Sequence, residues 1–170
     1  YLYDGSTTVS YFQKENIHIT HQTGESDHQM VQREYENSGL SHDVRPFIDD
    51  VAEQYRKASL VICRAGATTL AEVTACGKVS VLIPYPHAAH NHQEKNARLL
   101  DAANAGELVL DKELSGERIA QSILHAMEDP QRMQEMEDNS YQLGKRDATE
   151  KVGAICMDLL KDANQKSGRT

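Results

Sequence analysis

Two stretches of the chain carry residue types able to do chemistry. In the first, Cys63-Arg64-Ala65-Gly66-Ala67-Thr68-Thr69-Leu70-Ala71-Glu72, a short apolar run gives way to small residues and then to a helical pattern ending at Gly77. Gly66 and Ala67 let the backbone approach a ligand closely. The backbone N–H groups of Ala67, Thr68, Thr69 and Leu70 then point at whatever sits there. With the helix dipole behind them they form an anion site suited to a diphosphate. Glu72 lies one turn on from Thr68, on the same face. A carboxylate there repels phosphate but accepts hydrogen bonds from a ribose diol, so the pattern suggests a nucleoside diphosphate lying across the helix start. The same residues also read as a tight strand–helix turn with a solvated Glu, and spacing alone leaves both open.

The second stretch, Pro84-Tyr85-Pro86-His87 followed by Asn91-His92-Gln93-Glu94-Lys95-Asn96-Ala97, invites a metal reading through His87, His90 and His92. Zinc asks for three or four ligands with oriented outer partners, and no such set is apparent, so no metal is expected. Asn91, Gln93 and Asn96 better suit a neutral hydrogen-bonding surface for a polyhydroxylated substrate. A polar loop with a helix cap remains the alternative. Tyr85 either lines a pocket or shields the sheet end. Arg64 ends a buried strand and needs a partner, so it either pairs with a nearby carboxylate or supports the ligand loop. His18 and His21 read as a strand-face residue and a turn residue.

These groups need elements to hold them. Strands are predicted over 17–20, 42–46, 60–63, 79–83 and 108–110, and helices over 27–37, 68–76, 92–103, 115–128, 130–143 and 148–160. Phe47-Ile48-Asp49-Asp50 opens a further helix, with Asp49 as its cap and Val51, Ala52 and Tyr55 facing inward. Pro130 suits a first helical turn. This alternation predicts an α/β fold with a doubly wound parallel sheet, whose ligands gather at the carboxyl ends of the strands.

At 170 residues, one domain is expected, over 1–160, with a polar tail over 161–170. The net charge of −8 argues against general nucleic-acid binding. No apolar run approaches the roughly 20 residues that span a bilayer, and no signal-peptide pattern opens the chain. Cys63, Cys76 and Cys156 lack metal spacing and read as buried, reduced thiols of a cytoplasmic protein. The chain opens at Tyr1 within a helical pattern, which reads as an N-terminally truncated fragment.

The motifs quoted above, together with His21-Gln22-Thr23-Gly24 and Phe47-Ile48-Asp49-Asp50, resemble the C-terminal domain of the MurG family, within glycosyltransferase family 28, in order and spacing over roughly residues 17–160. The resemblance implies the C-terminal, donor-binding half of a GT-B fold and an inverting hexosyltransferase. That enzyme passes N-acetylglucosamine from UDP-GlcNAc to the undecaprenyl-linked acceptor lipid I, giving lipid II with a β-1,4 link. It implies no cofactor. It implies that Ile48 meets uracil through its backbone, that Ala67, Thr68, Thr69, Leu70, Ala71 and Glu72 hold the diphosphate and ribose, and that Gln93 bonds the sugar hydroxyls. Arg64, Gly66 and Asn96 lend support. No catalytic residue is expected in this segment. The acceptor, membrane contact and base belong to the family's N-terminal domain, as a peripheral protein at the cytoplasmic face of the inner membrane. That domain, a Gly-Gly-Ser type phosphate motif and the first strand are expected to precede Tyr1, so the segment alone is expected to be inactive. A split transferase needing a partner, or a non-catalytic nucleotide-sugar module, are the alternatives.

Overall fold

The computed structural model describes Phe12 and residues 17–167, with the backbone alone over 162–167. The helical pattern at Tyr1 lies outside the described residues. Among the described residues the elements are, in order, β1 His18–Gln22, α1 His28–Ser38, β2 Ser41–Arg45, α2 Val51–Lys57, β3 Val61–Cys63, α3 Ala67–Ala75, β4 Ser80–Leu82, α4 His92–Ala102, β5 Gly106–Leu108, α5 Gly116–Glu128, α6 Pro130–Leu143 and α7 Ala148–Ser167. Every strand pairing is parallel. Among the described residues the strands form two sheets, β1–β2 and β3–β4–β5. Parallel pairing sends every chain reversal through a helix, and it gathers the strand ends of each sheet on one edge.

Alternation along β4 divides the core. Leu82 faces α3 and α4, packing with Ala65, Leu70, Ala97, Leu100 and Ala105. Val81 faces the other way with Ile83, Val109 and Ile119 of α5. The next residues of α5, Ala120, Ile123, Leu124 and Met127, pack instead against Phe12, Ile17, Ile19 and Leu40 beside β1. Helix α5 therefore belongs to the cores of both sheets. An ion pair from Arg118 to Glu107 of β5 fastens it, and the same guanidinium donates to Ser122 Oγ.

Several helix ends follow the local chemistry of the sequence. Gly39 closes α1 at φ 67°, a left-handed value that glycine adopts without penalty. Ser115 Oγ accepts from Arg118 N at 3.1 Å, and Asp129 accepts from Arg132 N at 2.9 Å ahead of Pro130. Other boundaries move. His21 and Gln22, expected in a turn, extend β1 because they pair with Val44 and Arg45. Strand β5 starts two residues early, because Gly106 alone can lie so close to β4: a Cβ there would be 2.9 Å from Ser80 O. Helix α7 continues past the expected end at residue 160 to Ser167, and residues 161–167 contain neither Gly nor Pro. It leaves Val152, Ile155 and Leu159 about 60% exposed.

The thiol expectation holds only in part: all three cysteines are free, but Cys76 and Cys156 are exposed and Cys63 half-buried. Cys76 sits at the C-terminal cap of α3, beyond its packed face. The strand before Arg64 is also less buried than its apolar run suggests. Ile62 is 42% exposed, and β3 is an edge strand among the described residues.

Candidate functional site

Helix α3 starts at Gly66, whose φ of −68° and ψ of 146° are ordinary extended values. No side chain caps this helix and no acid lies in its first turn. Helix α1 shares both features, whereas the serine and aspartate caps of α5 and α6 consume a terminal N–H each. Leu70 N is not available, since it donates to Gly66 O at 2.9 Å. The expected four-amide cradle is therefore three amides, those of Ala67, Thr68 and Thr69, because the fourth closes the first helical turn. A Cβ added at Gly66 would meet only Thr69 Oγ1, at 3.7 Å. The fold itself does not demand a glycine there, and the space before the amides is open.

Glu72 and Ala71 are exposed one turn along α3. Glu72 Oε2 accepts a hydrogen bond from Tyr55 Oη of α2 at 3.4 Å. Burial first, and the Glu72 charge second, push the Tyr55 phenol up to about 12, so it remains a donor at neutral pH.

Helix α2 follows the Phe47–Ile48 turn and is pinned at its start. Asp50, not Asp49, is the residue at its N-terminus, and its carboxylate does not cap the helix. It accepts instead from Arg45 Nη1 at 2.8 Å and Gln54 Nε2 at 2.7 Å. These bonds hold the Asp50 carboxyl below the usual carboxylate range, Gln54 first and Arg45 after it. Of the three residues expected to face inward, Val51 and Tyr55 are half-buried and Ala52 is exposed. Ile48 N donates to Gln22 Oε1 at 3.0 Å, which ties the turn to the end of β1. Phe47 stands 64% exposed beside it, an aromatic face that the motif reading passed over.

The third part comes from the turn after β4. Gln93 Oε1 accepts from Tyr85 N at 2.9 Å, which turns its Nε2 away from that backbone as a donor. Asn96 Nδ2 donates to Ala65 O at 3.4 Å, joining α4 to the turn before α3. His90 and Asn91 sit at φ 52° and 53°, two successive left-handed residues that fold the loop tightly over the start of α4. His92 Nδ1 donates to Ala89 O at 2.7 Å. Among the described residues no three His, Cys, Asp or Glu side chains converge as a metal site.

Arg64 is about half exposed rather than buried, and of the two expectations it meets the first, pairing with a carboxylate. Its Nη1 pairs with Asp111 Oδ1 at 3.0 Å and donates to Ile83 O and Pro84 O at 3.3 and 3.1 Å. Its guanidinium also lies 5.7 Å from the centre of the Tyr85 ring. It clamps the ends of β3 and β4 together. Away from these turns, His21 Nδ1 shares a hydrogen bond with Tyr35 Oη at 3.2 Å, and His18 Nδ1 one with Ser41 Oγ at 2.8 Å.

The Ala67–Glu72 segment, Arg64, Gln93 and Asn96 therefore share one linked region, and Tyr55 connects the Ile48 turn to it. Chemically the region offers unsatisfied N–H donors, one exposed carboxylate and two amide side chains.

The profile of the glycosyltransferase family 28 C-terminal domain matches residues 7–152. The UDP-N-acetylglucosamine–N-acetylmuramyl-(pentapeptide) pyrophosphoryl-undecaprenol N-acetylglucosamine transferase of Thermodesulfovibrio yellowstonii is 51% identical over 148 residues, covering 87% of this chain and 40% of that protein. Its counterpart from Myxococcus xanthus is 42% identical over 156 residues, covering 92% and 41%. The crystal structure of Acinetobacter baumannii MurG superposes with a TM-score of 0.74 at 28% identity, covering 91% of this chain and 50% of that one. Spinosyn forosaminyltransferase SpnP, at 13% identity and a TM-score of 0.52, shares the fold alone. The chain thus spans about 40% of the length of the curated relatives it matches. By profile, identity over most of its length and superposition, the chain belongs to the glycosyltransferase family 28 C-terminal domains and has the fold of the C-terminal half of a GT-B glycosyltransferase.

Proposed function

We propose that this chain is the donor-binding part of an inverting N-acetylglucosaminyltransferase that uses UDP-GlcNAc and converts lipid I to lipid II in peptidoglycan synthesis. The observation that carries the reading is the uncapped start of α3 with Glu72 one turn on, in a chain 42 and 51% identical to two transferases of that name. The domain over 1–160 would hold the donor, with residues 161–170 contributing nothing to it. The acceptor, the catalytic base and a peripheral contact with the cytoplasmic membrane face would come from the rest of the protein. Failure of the activity would then reach cell-wall assembly, cell shape and division.

In this reading the uracil lies at Ile48, with Phe47 beside it, and the Ile48 carbonyl accepts from the base edge while its N–H stays on Gln22. Glu72 accepts from the ribose hydroxyls. The N–H groups of Ala67, Thr68 and Thr69 face the diphosphate, with Ala71 exposed beside them and Leu70 anchoring the turn in the core. Gln93 donates through Nε2 to sugar hydroxyls, with Asn96 supporting the turn. The acceptor hydroxyl attacks the anomeric carbon as the bond to the diphosphate oxygen breaks. The leaving UDP gains negative charge where the N–H groups and the helix dipole, roughly half a positive charge, favour it. Those donors are fixed before the reaction begins, so they need no reorganisation to stabilise the leaving group.

The test is donor affinity and transfer by the encoded protein at full length. Glu72→Ala removes a charge-assisted acceptor, which corresponds to about a 10- to 100-fold loss of UDP affinity. Unchanged affinity would refute the ribose role. Donor binding without any transfer to a lipid I acceptor would favour a non-catalytic nucleotide-sugar module.

A further inference from the structure

We propose that Tyr55 is a positioning residue for the nucleotide site, its hydroxyl holding the Glu72 carboxylate in the single orientation that receives a ribose diol. The proposal rests on the reading of Glu72 given above and adds to it a residue outside the nucleotide-contacting set. Glu72 is exposed on α3. A free glutamate there spreads over several rotamers, and fixing it on ligand binding costs entropy. Tyr55 is half-buried on α2, whose start is held by Asp50 through Arg45 and Gln54. A phenol on a pinned helix has little freedom, so its hydrogen bond to Glu72 Oε2 transfers that order to the carboxylate. With Oε2 held, Oε1 has no partner among the described hydrogen bonds and is left to accept from a ribose hydroxyl.

The geometry has a second consequence. Tyr55 sits seven residues after Ile48 and on the helix that follows it. One hydrogen bond therefore joins the turn assigned to the base with the helix assigned to ribose and diphosphate. Loss of the hydroxyl should be felt as a loss of ribose reading, not as a general loosening of the site.

The experiment compares dissociation constants for UDP and 2′,3′-dideoxy-UDP in the full-length encoded protein, its Tyr55→Phe and Glu72→Ala variants, and the double variant. Tyr55→Phe is expected to weaken UDP by about three- to tenfold and to leave the dideoxy nucleotide within about twofold. In the Glu72→Ala background the same change should have no effect on UDP, since the partner it orders is gone. Three results overturn the proposal while sparing the ribose reading: no loss of UDP affinity, equal losses for both nucleotides, or an undiminished effect without Glu72. If Glu72→Ala itself binds UDP as the wild type does, the ribose reading falls and this proposal falls with it. Tyr55→Phe keeps the ring, and thermal denaturation of each variant separates a folding defect from a lost contact.

Discussion

Gly66→Asp should make the free protein more stable while removing its affinity for a nucleoside diphosphate. The position accepts a side chain: its φ is ordinary, and an added Cβ meets nothing nearer than 3.7 Å. A carboxylate at this N-cap can accept from the Thr68 or Thr69 N–H, as Asp129 does from Arg132 N on α6. Replacing glycine by aspartate as a cap is worth a few tenths of a kcal/mol, and its charge against the helix dipole about 0.3–1 kcal/mol more. A gain near 1 kcal/mol raises Tm by about 2–4 °C in a chain of this size. Binding moves the other way. A carboxylate about 5 Å from a phosphate charge, at an effective dielectric near 20, is repelled by about 3 kcal/mol. Allowing for screening at an open site, UDP affinity should fall about 30- to 300-fold. The assays are thermal denaturation without ligand and calorimetric titration with UDP. A stabilised variant that still binds UDP normally would refute the phosphate assignment. A destabilised one would refute the capping argument.

Gly66→Ala should cost almost nothing in stability, since a poorer cap is offset by reduced unfolded-chain entropy. Gly106→Ala should cost about 1–3 kcal/mol by denaturant titration, because its Cβ would sit 2.9 Å from Ser80 O and Oγ. Thiol labelling should modify Cys76 and Cys156 well before Cys63, whose partial burial pushes its thiol up to about 11. His21 has its pKa lowered by burial from 6.5, so the unfolded chain binds the proton first and stability falls as pH drops below about 6.5. A His21→Asn variant should show a shallower acid slope in denaturant titrations.

Features set by neighbours in sequence were legible; those set by partners far along the chain were not. Gly39, Ser115 and Pro130 end or start helices through their own backbone chemistry, and each sits where its type predicts. The bounds of β1 and β5 depend on pairing with strands some 25 residues away, and both moved by two residues. Asp49 and Asp50 look alike as caps until Arg45, five residues back, takes the second of them. The small-residue turn before α3 could be read as a motif, but the engagement of Leu70 N is a property of the folded helix. Tyr55 carried only an inward-facing label, because its partner Glu72 lies 17 residues on in another helix. The exposure of Phe47 and Ile62 was equally out of reach, since an apolar residue carries no mark of what covers it. Arg64 fared better: the rule that a strand-end arginine finds a partner predicted the kind of contact, though not Asp111 itself.

The central claim is that the first turn of α3 receives the diphosphate, and backbone amide resonances test it most directly. UDP added to the isotopically labelled full-length protein should shift the amides of Ala67, Thr68 and Thr69 strongly. Those of Arg118 and Arg132, already bonded to Ser115 and Asp129, should hardly move. Saturable UDP binding that leaves residues 67–69 unshifted would contradict the account.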